Sequence, residues 1–254
     1  MRRNLVLILI LGSFFFLKSC NSKKKDSFTI AAAANMQFVI YELANAFYEK
    51  SGISSEVILG SSGKLTAQIV EGAPFDLFLS ADIKYPNELF KKGFSVDQPE
   101  VYAYGSLVLW TLKDDLVPDL EVLTSGQVKH VAMGNPKTAP YGVAAMQVLN
   151  HTDLYATISS KIVYGESVSQ TNQFIISQAA EIGFTSKSVV LSSQMEHEGS
   201  WEVLDKELYN PMAQAMVILN NREIYKEEAV QFKEFMLSLE GKEILHKFGY
   251  DLVE

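Results

Sequence analysis

Residues 57–82 read VILGSSGKLTAQIVEGAPFDLFLSAD, and their hydrophobic period changes twice. Val57, Ile58 and Leu59 make a short apolar run that stops at Gly60. Leu65, Ile69 and Val70 then recur at helical spacing, and Phe75 to Leu79 is again a compact apolar run. Strand, helix and strand in that order are the repeating unit of an α/β fold with a largely parallel sheet. Gly60, Ser61, Ser62 and Gly63 stand where the helix begins. Residues of this kind ordinarily turn the chain and cap a helix, which would make Ser62 the cap of a helix starting at Lys64.

The same alternation extends in both directions. FTIAAA (28–33) precedes a helical segment from Met36 to Ser51, whose Met36, Val39, Ile40, Leu43, Ala46 and Phe47 share one face. A third helix is expected from Ile83 to Gly93. A second set of strands follows in HVAMG (130–134), SKIVYG (160–165), EIGFT (181–185) and WEVL (201–204), with helices from Tyr141 to Leu149 and from Val168 to Ala179. Two long extended segments, VYAYGSLVLW (101–110) and MAQAMVIL (212–219), separate an early part, a middle part and a tail with helices over 223–238 and 241–248. Packing of the tail on the early part makes the chain cross twice between two lobes. Such a pair of crossings is a hinge, with the ligand site in the cleft it spans. Tyr102, Tyr104 and Trp110 alternate, which predicts packing on one strand face.

The 254 residues, 48% hydrophobic and 20% charged, suit an ordinary folded protein with a sizeable core. The first 20 residues, MRRNLVLILILGSFFFLKSC, place two arginines before an apolar run, the pattern of a secretory signal. Leu17, Lys18, Ser19 and Cys20 are similar to a bacterial lipobox, in which the cysteine is lipidated and becomes the first residue. Lys18 departs from the usual small or apolar residue there. Cys20 is the sole cysteine, so it has no partner within the chain for a disulfide. NSKKKDS (21–27) reads as a solvated tether. Removing the signal lowers the basic residues from 22 to 19 against 30 acidic ones, and the net charge moves from −8 to −11. That balance argues against a nucleic-acid partner, and it requires any bound anion to be held by local dipoles.

Four segments place small or hydroxyl residues where a helix starts: AAAANM (31–36), GSSGKL (60–65), APYGVA (139–144) and GESVSQ (165–170). Each alone is explained by capping. Together they point to helix N-termini, with their unpaired N–H groups, converging on an anion. Desolvating an ion costs on the order of 20 kcal/mol in the Born limit, whereas one helix terminus returns about 0.3–2 kcal/mol. Charge-assisted hydrogen bonds of about 1.5–3 kcal/mol each would have to number roughly seven or more. Other motifs fail on spacing. GSSGKLT lacks the GxxxxGK of a P-loop, GESVS has Ser169 where a nucleophile elbow needs glycine, and His130, His151, His197 and His246 form no metal-binding pattern. Asp76 and Asp82 flank a strand and read as braces or caps.

IAAAANM (30–36), GSSGKLTAQIVEGAPFDLFLSAD (60–82) and NPKTAPYGVAA (135–145) resemble the periplasmic molybdate-binding proteins that feed an ABC importer. The resemblance runs over essentially the whole mature chain. It implies an α/β, two-lobed periplasmic binding protein of type II-like architecture, with two hinge-crossing strands and an interlobe cleft. Residues 1–19 are then a lipoprotein signal peptide, 20–26 a tether, 27–102 and 213–254 the two parts of the first lobe, and 103–212 the second lobe. The ligand implied is molybdate, with tungstate, held without metal side-chain ligands or cofactor and passed by a monomer to a membrane permease. Ser62 occupies a position whose hydroxyl and amide meet the oxyanion, and Tyr141 and Val168 occupy positions that offer backbone N–H groups. Ala34 stands where many relatives have serine, Asn35 is similar to an asparagine variant of that loop, and Ser186 aligns near another relative's tyrosine. Ala81 lines the site through its backbone. The location implied is the cell envelope, with a lipid anchor on Cys20. Two other readings stay open from the residues alone: a receptor for another oxyanion or small carboxylate, and a secreted hydrolase using Ser62 or Ser167.

Overall fold

A computed structural model describes residues 27–195 and 198–253. The expected signal peptide, Cys20 and the tether up to Asp26 lie outside the described residues. The chain forms β1 (Phe28–Ala33), β2 (Ser55–Gly60), β3 (Leu77–Leu79) and β4 (Glu100–Gly105). It continues with β5 (Leu107–Thr111), β6 (Val131–Gly134), β7 (Ile162–Gly165), β8 (Ile182–Ser186) and β9 (Ser200–Val203), and ends with β10 (Met212–Ile218) and β11 (Asp251–Leu252). Helices are α1 (Val39–Ser51), α2 (Ser62–Val70), α3 (Lys84–Lys91), α4 (Pro140–His151), α5 (Tyr155–Ile158), α6 (Val168–Ile176), α7 (Lys187–Val190), α8 (Lys226–Leu237) and α9 (Leu239–Lys247). No helix among the described residues is long and apolar enough to cross a membrane.

The strands divide into two sheets. One runs β11-β4-β10-β3-β1-β2, and the other runs β7-β6-β8-β5-β9. The chain leaves the first sheet at Ser106, between β4 and β5, and returns between β9 and β10. VYAYGSLVLW, read from sequence as one extended segment, is thus two strands in two lobes. Each sheet is mixed rather than largely parallel. β1 pairs in parallel with β2 and β3, and β6 with β7 and β8, but β10 is antiparallel to β3 and β4, and β5 is antiparallel to β8 and β9. The antiparallel partners include the strands that carry the chain across the hinge.

The parallel strands β1 and β6 are buried along their whole length, as a strand covered on both faces requires. In the first lobe α1, α8 and α9 cover one face of the sheet. Phe47 meets Phe232 edge to face at 5.1 Å there, within a cluster that includes Ile30, Leu43 and Leu245. In the second lobe α4 packs Ala145, Val148 and Leu149 against Met133 and Phe184. Asp76 braces the first lobe: it accepts the Thr29 N–H at 2.7 Å and pairs with Arg222 at 2.6 Å. Asp82 accepts the Tyr85 N–H at 3.3 Å at the start of α3, and burial raises its pKa above the usual carboxylate value despite that bond.

Two local expectations change. The β4–β10 register skips Tyr102, because Gln214 faces Ala103 while Ala215 faces Val101. That bulge breaks the alternation, so Tyr102 is buried while Tyr104 is partly exposed. The helix after β2 begins at Ser62, and Ser61 is its cap position, so Ser62 is not the cap of a helix starting at Lys64.

Candidate functional site

The helix starts singled out by their small residues come together between the lobes. Ala34, Ala81, Tyr141 and Val168 belong to one buried cluster that also contains Leu107 and Met212 at the crossings. The Gly63 N–H, in the first turn of α2, donates to the Thr138 carbonyl before α4 at 2.9 Å. The Ser169 hydroxyl, in the first turn of α6, donates to Gln37 at 2.5 Å and lies 3.5 Å from the Ala34 carbonyl. Ser188 in α7 donates to the Asn35 carbonyl at 2.8 Å. A groove of about 340 Å³ opens beside the Gly63–Thr138 contact, lined by Gly63, Thr66 and Tyr85 on one side and Lys137 and Thr138 on the other.

Ser62 is fully buried, and its Oγ accepts the Ala81 N–H at 3.0 Å. An accepting hydroxyl keeps its own hydrogen to donate, so Ala81 acts here by orienting Ser62 and its amide is already engaged. The neighbouring Ser61 is also buried, and its Oγ has no hydrogen-bond partner among the described residues. Pro140 occupies the first position of α4 and has no N–H, so the first amide that helix can offer is that of Tyr141. Val168 is the first residue of α6, and the preceding Ser167 caps that helix by accepting the Gln170 N–H. These amides lie in the turns where a helix supplies no internal acceptor.

Asn35 is buried in the 3-10 turn (Ala34–Met36) that follows β1, and its Nδ2 donates to Gln214 and to Tyr250, each at 3.0 Å. Its Oδ1 is buried without a partner among the described residues. Ser186 is fully buried, but its hydroxyl is taken up with that of Ser188 at 2.9 Å, so it joins the constellation through Ser188. Burial pushes the pKa of Tyr102, Tyr141 and Tyr250 above the ordinary phenol value, and the neighbouring phenols add to this for the first two. All three are neutral at physiological pH. Neither Ser62 nor Ser167 has a histidine among its observed partners, as a hydrolase nucleophile would need.

A model of the bacterial extracellular solute-binding proteins matches residues 28–251. The chain belongs to that family. Among curated relatives, the molybdate-binding protein ModA of Rhodobacter capsulatus is 36% identical over 221 residues, covering 87% of this chain and 86% of its own. A Bacillus subtilis protein provisionally described as an ABC transporter substrate-binding lipoprotein is 27% identical, covering 96% and 93%. Among solved structures, the Azotobacter vinelandii periplasmic molybdate-binding protein superposes with a TM-score of 0.85 at 34% identity, covering 90% of this chain and 100% of that one. Membership in a family of solute-binding proteins sets the hydrolase reading aside.

Several polar residues of this interlobe cluster escape a local reading of sequence. Gln214 and Tyr250 are brought to Asn35 from 179 and 215 residues away, and Ser188 from 153. The one available signal was chemical: a glutamine inside the apolar run MAQAMVIL marks a buried polar group that must find partners.

Proposed function

We propose that this protein captures molybdate, and tungstate with it, outside the cytoplasm and delivers it to an ABC permease. The observation that carries this reading is the Ser62 hydroxyl. It is buried at a helix start between the lobes, with its oxygen already accepting from Ala81 and its hydrogen available to a ligand. In this reading the Tyr141 and Val168 amides of the other lobe, together with Asn35 and the amide of Ala34, complete a set of uncharged donors. The nearest cation in sequence, Lys64, is half exposed and paired with Glu166, so it lies outside this neutral set. A fully deprotonated tetrahedral dianion offers only acceptors and matches donors of that kind. Ser186 contributes through Ser188. The relatives named for molybdate support the choice of ligand. Lipidation at Cys20, which would anchor the protein to a membrane, is our reading of the first 26 residues, and the relative described as a lipoprotein supports it; we take the protein to act as a monomer.

Thermal-shift and calorimetric titration of protein lacking residues 1–20 tests the reading with molybdate, tungstate, sulfate and phosphate. Molybdate and tungstate should raise the melting temperature, because a ligand bound only by the folded state stabilises it. A response to sulfate or phosphate alone would overturn the assignment.

A further inference from the structure

Gln214 is fully buried in β10, one of the strands that cross between the lobes, opposite the bulge that turns Tyr102 inward. Its Oε1 accepts from Asn35 Nδ2 at 3.0 Å and from the Tyr102 hydroxyl at 3.1 Å. Its Nε2 donates to the Tyr141 hydroxyl at 3.2 Å. Gly105 makes room for this: a Cβ there would fall 2.3 Å from Gln214 Nε2 and 2.4 Å from the Tyr141 hydroxyl. Both Nδ2 hydrogens of Asn35 are engaged, by Gln214 and Tyr250, and the group left over is its Oδ1.

The same heavy atoms support the opposite order of donors and acceptors. With both carboxamides turned over, Gln214 Nε2 donates to Asn35 Oδ1 and to Tyr102, whose own hydrogen goes to the Ser80 carbonyl at 3.3 Å. Gln214 Oε1 accepts from Tyr141, and Tyr250 donates to Asn35 Oδ1. Every contact of the two carboxamides survives, and the group left over on Asn35 is now an NH2. Hydroxyls permit this reversal because each can donate or accept.

We propose that Gln214 is a positioning residue that sets which end of the Asn35 carboxamide is presented to the bound ligand. It ties that choice to Tyr141 of the opposite lobe. The inference rests on the oxyanion reading of the cleft. A ligand without hydrogens selects the order that leaves the Asn35 NH2 to donate, and the Gln214 carboxamide serves because it supplies both a donor and an acceptor at that point. The network is the means by which one amide at the hinge favours a fully deprotonated anion.

Gln214→Glu leaves only acceptors at this point when ionised, holds Asn35 Nδ2 toward itself and leaves Oδ1 to the ligand. Gln214→Met offers neither. In calorimetric titration with molybdate, Gln214→Glu should bind about 100-fold more weakly than wild type and Gln214→Met about tenfold. Most of the difference between them should vanish in an Asn35→Ala background, which separates the effect of Asn35 from direct repulsion by the new carboxylate. Equal losses for the two variants, or a Glu penalty undiminished in the Asn35→Ala background, would overturn the inference. A second measurement needs no variant to fold: in wild-type protein with ¹⁵N-labelled side-chain amides, saturation with molybdate should shift the Asn35 and Gln214 signals together. Unmoved Gln214 signals overturn it. Wild-type protein that binds no molybdate overturns the oxyanion reading and this inference with it, whereas wild-type binding with indistinguishable variants overturns the inference alone.

Discussion

The Lys64 ammonium lies 2.5 Å from the Glu166 carboxylate, so the first turn of α2 in one lobe is paired with the loop leading into α6 of the other. Both side chains are about half exposed, and exposed pairs contribute about 0.2–1 kcal/mol. The pair forms only with the lobes together, so its contribution falls on closure. Lys64→Ala should weaken molybdate binding by no more than about fivefold, mainly through faster release. The difference from wild type should disappear near about 1 M salt, where the screening length is about 3 Å. A loss that persists at high salt in stopped-flow measurements would show that Lys64 acts on the ligand instead.

Ser62→Ala removes the hydroxyl and also strips the Ala81 N–H of its acceptor. If the hydroxyl donates to a dianion, its loss should cost about 1.5–3 kcal/mol of binding free energy. The released Ala81 amide is buried, so the apo protein should also lose about 1–3 kcal/mol of stability. Unchanged molybdate affinity by calorimetry would reduce Ser62 to a structural link between α2 and β3.

The positions of these helix starts were legible because the cause is local. Gly60 to Gly63 and Gly165 to Val168 follow strands directly, and Ala139 to Tyr141 closes the loop after β6; each has residues that turn the chain, and their sequence alone predicts a helix N-terminus in each. The hidden part depends on pairing between distant strands. Whether Tyr102 faces Gln214 or solvent is decided by a bulge, and a period-two pattern puts it with Tyr104. Likewise VYAYGSLVLW is continuous in composition, and only the separate pairing of β4 with β10 and β5 with β8 divides it at Ser106. Ser61 and Ser62 are chemically alike, so helical phase alone distinguishes the cap position from the residue held by Ala81.

Asp76 was read as a brace, and its partners make the cost of removing it calculable. The carboxylate is 1% exposed, takes both Nε and Nη2 of Arg222 at 2.9 and 2.6 Å, and accepts the Thr29 N–H. Removing one member of a buried pair typically costs about 3–5 kcal/mol, since the other charge loses its compensation. Asp76→Ala should lower the urea midpoint accordingly while leaving the urea dependence unchanged. A shift of under about 1 kcal/mol would place this pair among the weak surface contacts.

The buried phenols give stability a defined dependence on alkali. Burial raises Tyr250 above its ordinary value of 10.0 against the opposing hydrogen bonds from Ser188 and Asn35, and it raises Tyr102 and Tyr141 as well. Below that ordinary value the phenols are neutral in both states and the stabilisation is complete. Above it the unfolded chain ionises first, so stability falls as the pH climbs toward the folded values, by about 1.4 kcal/mol per pH unit for each such group. Tyr250→Phe should be less stable at neutral pH, having lost its bond to Asn35, yet show a shallower decline above pH 10. Denaturation midpoints measured across that range check the slope, and an equal decline in both proteins would exclude Tyr250 as a contributor.

Gly63 limits how closely the lobes approach. A Cβ on this residue would lie 3.0 Å from both the Cα and the carbonyl oxygen of Thr138, and 2.7 Å from the Tyr85 hydroxyl. The tyrosine end can swing away, but the Thr138 backbone belongs to the opposite lobe and can yield only by separating from it. That separation would stretch the 2.9 Å bond from the Gly63 N–H to the Thr138 carbonyl. Overpacking of a tight contact costs about 1–3 kcal/mol, and here the cost is confined to the state with the lobes together. Gly63→Ala should therefore weaken molybdate binding by about 5- to 150-fold while hardly changing the melting temperature of the apo protein. Small-angle scattering should show a smaller compaction on adding molybdate than in wild type. An apo protein destabilised as much as the complex would mean that the glycine serves the fold of α2 and not the approach of the lobes.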